Sequence, residues 1–146
     1  MSSTTRQSGL YYAAHQLARR GWTVVLPVPG TRETTITVAN EDGSATIAIK
    51  ARAVAGKDPT GLGSSLETLT APWWIITTNA NSDAPTSYIM TLDEVKAVAH
   101  DTDPEKTAGG KVKYFLQPNR YAKPEYKEAW GRLGDPTAKA ITVTAA

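Results

Sequence analysis

The sequence predicts an α/β domain, in which helices pack against a sheet of several strands. Three observations lead to this prediction. Apolar residues recur at helical spacing near the N-terminus, two segments of β-branched residues flank a turn sequence, and a helix-capping signal follows two further strand-like segments. The 146 residues, 40% of them hydrophobic and 21% charged, are enough for one domain with an ordinary core.

The first predicted elements are a helix and a strand. Apolar residues at i, i+3 and i+4 spacing in the segment 10–18 give a helix one apolar side. Arg19 and Arg20 complement the dipole at its C-terminal end, and Gly21 ends it. The sequence WTVVL at residues 22–26 then favours a strand, which the turn sequence PVPG closes.

A β-hairpin is predicted next. Segments 34–40 and 45–52 are rich in β-branched residues, and the sequence NEDGS between them is typical of a tight turn. Alternation along the second strand places Ile49 on an apolar face, and Lys50 and Arg52 on the opposite, small and polar face. One side of the hairpin is therefore expected to be cationic.

Glycine and serine dominate residues 56–70, which predict a loop with a short helix around residues 64–69. The sequence PWWIIT at residues 72–77 predicts a strand, with adjacent tryptophans on its two faces. Residues 86–90 are its expected antiparallel neighbour.

The C-terminal third begins with a capping box, TLDE, which predicts a helix over residues 92–99. Residues 113–116 favour a short edge strand, and the sequence PEYKEAWGRLG predicts a final helix over residues 124–134. We therefore expect one domain over residues 1–134 and a C-terminal tail over residues 135–146.

Composition excludes several classes of site. Without cysteine there are no disulfides, thiolate nucleophiles or iron–sulfur clusters, and two histidines are too few for a histidine-rich metal site. The N-terminal sequence has no apolar run of a signal peptide, and no segment approaches the roughly 20 apolar residues of a membrane span. We expect a cytoplasmic protein that does not enter a membrane.

Positive charge is unevenly distributed. A net charge of +2 is too small by itself to indicate a nucleic-acid partner, but lysine and arginine concentrate around residues 50–57 and in the last third of the chain. For the hairpin cations, the alternative is a solvated face without a ligand. The candidate anion- or nucleic-acid-binding residues are Lys50, Arg52, Lys57, Lys111, Lys113 and Arg120.

Several of these segments resemble small prokaryotic members of the PD-(D/E)XK, or restriction-endonuclease-like, nuclease superfamily. The likeness lies in the order helix, three strands, helix, strand, and in the sequences LARRGW, PWWII, SYIMTLDEV and YKEAWGRL around the hairpin 34–52. The resemblance implies a restriction-endonuclease-like core, with a central mixed four- to five-stranded sheet flanked by helices.

The catalytic residues of that superfamily are altered in this chain. The family holds Mg²⁺ with an acid in the second strand and an acid or glutamine in the third, where a lysine follows after one spacer residue. These positions would fall on Thr35 and on the triplet Lys50, Ala51 and Arg52, and the glutamate of the first helix on Gln16. The resemblance therefore implies no catalytic residue, no metal ligand and no cofactor.

The leading functional hypothesis is a pseudo-nuclease, which is not an enzyme and binds nucleic acid or a protein partner, possible settings being defence, anti-defence or DNA processing. One alternative is an active Mg²⁺-dependent endonuclease with displaced carboxylates, for instance Glu33 and Glu67. Another is a structural subunit that forms a homodimer or binds a partner without contacting nucleic acid.

Overall fold

The computed structural model describes residues 3–28, 31–101 and 113–137. The elements, in chain order, are the helix α1 (Ser3–Arg19), the strands β1 (Thr23–Val25), β2 (Thr35–Ala39), β3 (Thr46–Ala53), β4 (Thr60–Gly63), β5 (Trp73–Thr78) and β6 (Thr86–Thr91), the helix α2 (Leu92–Val98), the strands β7 (His100–Asp101) and β8 (Tyr114–Leu116), the helix α3 (Pro118–Tyr121) and a 3₁₀-helix (Trp130–Leu133). The predicted α/β class is confirmed.

The strands form two sheets. A five-stranded main sheet has the order β1-β2-β3-β5-β6, and a three-stranded small sheet has the order β4-β8-β7. In the main sheet β1, β2 and β3 form an antiparallel meander, β5 lies parallel to β3, and β6 is antiparallel to β5. The main sheet is therefore mixed, as predicted. A parallel pair requires a crossover, and here the chain passes through β4 between β3 and β5.

The predicted hairpin is the pair β2 and β3. Thr35 lies opposite Lys50 and Ile36 opposite Ile49, so the alternation read from the sequence is the alternation of the sheet. Ile36, Val38 and Ile49 are fully buried. The apolar side of the hairpin thus faces the core, as predicted.

The helix α1 covers one side of the main sheet, called here the first face. Ala13 and Leu17 of α1 join Ile36 and Ile49 in one buried cluster. Gly9 permits the close approach, because a Cβ built at this position would lie 2.3 Å from the Cβ of Ala53. Any larger residue at position 9 would push α1 away from β3.

The opposite side, the second face, packs against the small sheet, α2 and α3. Trp74 and Met90 of the main sheet join Leu62 of β4, Leu116 of β8 and other residues in a second buried cluster. Trp73 packs against the first cluster instead. The adjacent tryptophans therefore pack on opposite faces of the main sheet, as their alternation predicts.

The predicted short helix at residues 64–69 is wrong. These residues form a turn, and the preceding residues form the strand β4, which pairs with β8 through a β-bulge between Gly61 and Gly63. Gly63 has φ +91°, a conformation that favours glycine. The strand β8 is predicted as an edge strand, but it lies at the centre of the small sheet.

The predicted helix over residues 124–134 is also wrong, since a turn, a single β-bridge and the 3₁₀-helix take its place. Glu128 adopts φ +48°, which interrupts a helix. Its carboxylate accepts hydrogen bonds from the backbone N–H of Ser87 at 2.6 Å and from the indole N–H of Trp130 at 3.0 Å. Tyr12 donates to the same group at 3.2 Å. These tertiary bonds outweigh the local preference for helix.

The capping box of α2 is present as predicted. The hydroxyl of Thr91 accepts from the backbone N–H of Glu94 at 3.1 Å, and the Glu94 carboxylate accepts from the backbone N–H of Thr91 at 2.8 Å. Among the described residues, none of the helices combines the length and apolarity needed to cross a bilayer. Past residue 134, Pro136 is buried and its carbonyl accepts from the backbone N–H of Glu41 at 2.7 Å.

Candidate anion-binding site

The hairpin cations lie on the second face of the main sheet. Lys50 pairs with Thr35 on β2 and with Trp74 on β5, and Arg52 pairs with Ile76. Because paired residues share a face, Thr35, Lys50 and Arg52 follow one side of two neighbouring strands. The structure thus brings together three of the four positions that the resemblance singles out.

Gln16 does not join them. It belongs to α1, which packs on the first face, and its side-chain carbonyl accepts hydrogen bonds from Arg20 at 2.7 Å and from Arg19 at 3.3 Å. The sheet therefore separates Gln16 from the cationic face. Gln16 stabilises the C-terminal turn of its own helix.

Lys50 is held by a carboxylate that precedes β2. One oxygen of Glu33 accepts from Lys50 Nζ at 3.3 Å, from the Thr35 hydroxyl at 2.7 Å, and from the backbone N–H groups of Thr34 and Thr35 at 2.8 Å each. The bonds from Thr35 and, to a smaller extent, Lys50 lower the pKa of Glu33 to about 2. Thr35 thus acts as a donor to Glu33.

Arg52 is placed differently from Lys50. Its Nη2 donates to the carbonyl of Gly61 on β4, which joins the main sheet to the small sheet. Its Nε is buried and has no hydrogen-bond partner among the described residues. No carboxylate oxygen in the described part of the chain lies within ion-pair distance of the guanidinium. Burial, followed by the charge of Arg6 on α1, lowers the pKa of Arg52.

The Arg52 side chain lines a cavity of about 560 Å³ at the C-terminal end of β3, called here the Arg52 cavity. Thr5 of α1, Thr60 of β4 and Phe115 of β8 also line it, together with Asp58 from the crossover. Asp58 accepts from the backbone N–H of Gly56 at 3.0 Å. Pockets of this size accommodate small ligands. The cavity therefore combines a cation, hydroxyl groups, one carboxylate and an aromatic ring.

The remaining candidate cations are dispersed. Lys57 is exposed in the crossover, and Lys113 is exposed just before β8. Arg120 of α3 lines a separate cavity of about 700 Å³ with His100. Lys111 lies outside the described residues. The predicted cations thus belong to several different elements of the described part of the chain.

The two carboxylates of the alternative nuclease hypothesis, Glu33 and Glu67, belong to different parts of the fold. Glu33 precedes β2 and is held by four donors, whereas Glu67 is exposed in the turn after β4. Across the described residues, no group of three or more histidine, aspartate or glutamate side chains lies together as metal ligands do.

Thr5, Thr60 and Phe115 line the cavity and were missed by the sequence patterns, as was Asp58 of the crossover. Each comes from a different element, and only the tertiary fold brings α1, β4 and β8 to the end of β3. No local pattern marks them. The one available signal is Arg52 itself, a cation two residues beyond Lys50 on the same side of a strand.

The fold and this site together define a mixed-sheet α/β domain with an uncompensated arginine beside a cavity. Comparisons with protein-family models, curated proteins and solved structures found no match to the chain.

Proposed function

We propose that this chain is a catalytically degenerate, restriction-endonuclease-like domain that binds the phosphate groups of nucleic acid on its cationic sheet face and does not cleave them with Mg²⁺. The observation that carries the proposal is the pair Lys50 and Arg52 on the second face, with no carboxylate compensating Arg52 among the described residues. Arginine and lysine at such positions bind phosphate oxygens directly.

The order of elements supports the family part of the proposal. A helix precedes an antiparallel meander of three strands, and the chain then crosses over to a strand parallel to the third. One departure from the expected order is that the described crossover holds the strand β4 where the family pattern has a helix. The five-stranded mixed sheet falls within the expected range of four to five strands.

Electrostatics supports binding over metal-dependent cleavage. The positions that correspond to the acids of the family would be Thr35 and Lys50, and Arg52 stands where the family has its lysine. A hydroxyl and an ammonium in place of two carboxylates cannot hold a divalent cation, and the ammonium repels it. The nearby carboxylate of Glu33 uses one of its oxygens for four hydrogen bonds within the hairpin. A phosphate diester needs the opposite arrangement, in which positive side chains meet its oxygens.

Fluorescence anisotropy with labelled single- and double-stranded oligonucleotides, across a salt series, tests the proposal. Replacing Lys50 and Arg52 by alanine should weaken binding and reduce the slope of log affinity against log salt by about 0.7 per lost phosphate contact on single strands. The matched control is Arg19→Ala/Arg20→Ala, which removes the same charge from the last residue of α1 and the residue after it. Equal losses in the two double variants would contradict the proposal.

A cleavage assay distinguishes the proposed binding function from the alternative of an active Mg²⁺-dependent nuclease. Supercoiled DNA incubated with the protein and Mg²⁺ or Mn²⁺ should remain intact over the same protein concentrations at which binding saturates. Nicking that disappears in Glu33→Gln would replace the proposed function by the displaced-carboxylate nuclease.

A specific observation favours a second candidate, a homodimer. The strand β1 is an edge strand that pairs with β2 alone within the described residues, and Val25 and Val28 beside it are 59% and 71% exposed. Such an edge can pair with a second copy around a two-fold axis. Sedimentation should then show a dimer that Val25→Lys/Val28→Lys dissociates and that Tyr11→Lys, at another exposed apolar residue, leaves intact.

A further inference from the structure

Arg52 forms no ion pair with a carboxylate of the described residues. Of the five N–H donors of a guanidinium, its Nη2 group serves the Gly61 carbonyl, and Nε has no partner among the described residues. A charge in such a place costs free energy unless an opposite charge compensates it. The fold keeps Arg52 beside a cavity all the same, which points to a ligand that supplies the missing negative charge.

The surroundings of the Arg52 cavity favour an anion. Thr5, which lines it, belongs to the first turn of α1, and this turn contains no acidic residue. The helix is 17 residues long, so the positive end of its dipole adds to the field at this position. Arg6 in the same turn lies close enough for its charge to act on Arg52. One cation of the lining, Arg52, therefore lies beside the first turn of α1, and Arg6 of that turn adds positive charge from outside the lining.

The lining also contains an opposing group. Asp58 brings one negative charge into the cavity, and its carboxylate is held by the backbone N–H of Gly56 rather than by Arg52. An anion that binds here must overcome repulsion from Asp58. This makes Asp58 a useful position for a test, because its removal should strengthen anion binding.

We propose that the Arg52 cavity is a binding site for a phosphate monoester, the group present in free nucleotides and at the 5′ end of a phosphorylated strand. A monoester carries close to two negative charges at neutral pH, so Arg52 and the positive end of α1 attract it more strongly than they attract the single charge of an internal diester. Its three terminal oxygens suit the donors of a guanidinium and the hydroxyl of Thr60. Phe115 provides an aromatic wall for the attached base or sugar.

This inference deepens the proposed function, and it rests on that function where the monoester is the end of a strand. For a free nucleotide or inorganic phosphate it stands independently. Oligonucleotides test the monoester at the end of a strand, and inorganic phosphate tests the free group.

The experiment compares two oligonucleotides of identical sequence, one with a 5′-phosphate and one with a 5′-hydroxyl, by fluorescence anisotropy at near-physiological ionic strength. We expect the full chain to bind the 5′-phosphorylated strand about tenfold or more tightly, as one or two charged hydrogen bonds predict. Arg52→Gln should abolish that preference. Lys50→Ala should weaken both strands equally and leave the preference unchanged.

A second variant guards against misfolding of Arg52→Gln. Asp58→Asn keeps an oxygen that accepts from the Gly56 N–H and removes only the charge. It should raise affinity for both strands, but more for the 5′-phosphorylated one, so that the preference for the 5′-phosphate grows about threefold. A preference that stays unchanged in Asp58→Asn would overturn the assignment of this cavity.

Inorganic phosphate provides the third arm. Added at constant ionic strength, it should raise the midpoint of thermal unfolding of the wild-type chain and not of Arg52→Gln, since a ligand of the native state stabilises it. If both strands bind equally well and phosphate has no effect, the proposed function stands and the monoester site is overturned. If neither strand binds but phosphate stabilises the chain through Arg52, the site stands and the proposed function fails.

Discussion

Arg52 and Arg132 are both partly buried, but the fold treats them in opposite ways. Arg132 donates to both carboxylate oxygens of Glu94 at 2.8 Å and to the carbonyl of Ile89 at 2.8 Å, and it lies over the rings of Trp73 and Tyr126. Arg52 donates to a single backbone carbonyl and has no carboxylate partner within the described residues.

Opposite pKa directions follow from these surroundings. The hydrogen bonds and charge of Glu94 raise the pKa of Arg132, whereas burial and the charge of Arg6 lower that of Arg52. Arg132 therefore contributes to the stability of the fold. Arg52 is a charge that the fold holds without compensation, which is the property expected of a binding residue.

The largest expected effect comes from removing the well-paired cation. Arg132→Ala breaks the bidentate bond to Glu94, leaves the Ile89 carbonyl without its donor and exposes two aromatic rings, so the free energy of unfolding should fall by about 3 kcal/mol. Urea denaturation followed by circular dichroism measures it. Arg20→Ala, which removes a cation over Trp130 that has no carboxylate partner among the described residues, should cost less than about 1 kcal/mol.

A smaller effect is expected when the charge of the partner alone is removed. Glu94→Gln keeps an oxygen for the capping bond to Thr91 but loses the ion pair, at a cost of about 1–2 kcal/mol at neutral pH.

The pH dependence of that cost has a definite sign. Because hydrogen bonds from Arg132 lower the pKa of Glu94, its contribution is complete above the ordinary value of 4.5 and is lost as pH falls through the lowered pKa. Urea midpoints of Glu94→Gln and the wild type should therefore converge in acid. A difference that persists unchanged well below pH 4.5 would show that the charge of Glu94 is not responsible.

Removing the uncompensated cation should change stability little. Arg52→Met retains the length of the side chain and relieves a buried charge, while the Gly61 carbonyl loses its donor, so the free energy of unfolding should change by less than about 1 kcal/mol. A loss as large as that of Arg132→Ala, measured in the same urea series, would show that Arg52 has a structural role and would remove the contrast between the two arginines.

The smallest effect is expected at the exposed pair Lys50 and Glu33. Glu33→Gln should cost less than about 1 kcal/mol at neutral pH, because the Glu33 side chain is 55% exposed and solvent screens the pair. The pKa of Glu33 is lowered to about 2, so the difference from the wild type should disappear as pH falls from about 4.5 to 2. A constant difference over that range would contradict the ionic origin of the effect.

Sequence patterns predicted the main sheet well because its strands carry strong local signals. The alternation of Ile49 and Lys50, the turn sequence between β2 and β3, and the capping box at Thr91 each depend on neighbours within a few residues. The prediction of a final helix over residues 124–134 was wrong for the opposite reason. Glu128 forms hydrogen bonds to groups far away in the chain, and these decide its conformation.

The candidate site divides in the same way. Lys50 and Arg52 could be placed on one face from their spacing, since residues two apart in a strand point to the same side. The sequence could not predict that Lys50 pairs with Glu33 and that Arg52 has no carboxylate partner among the described residues. The difference depends on where the chain before β2 and the small sheet come to lie.

The sequence by itself determined the α/β class, the β2–β3 hairpin of the main sheet and the presence of a cationic strand, because these depend on the period of local patterns. Only the tertiary structure decided that β4 and β8 cover the end of β3 and that the N-terminal turn of α1 arrives beside them. Burial and ion pairing depend on groups distant in sequence. For this reason the contrast between Arg52 and Arg132 becomes visible only in the folded chain.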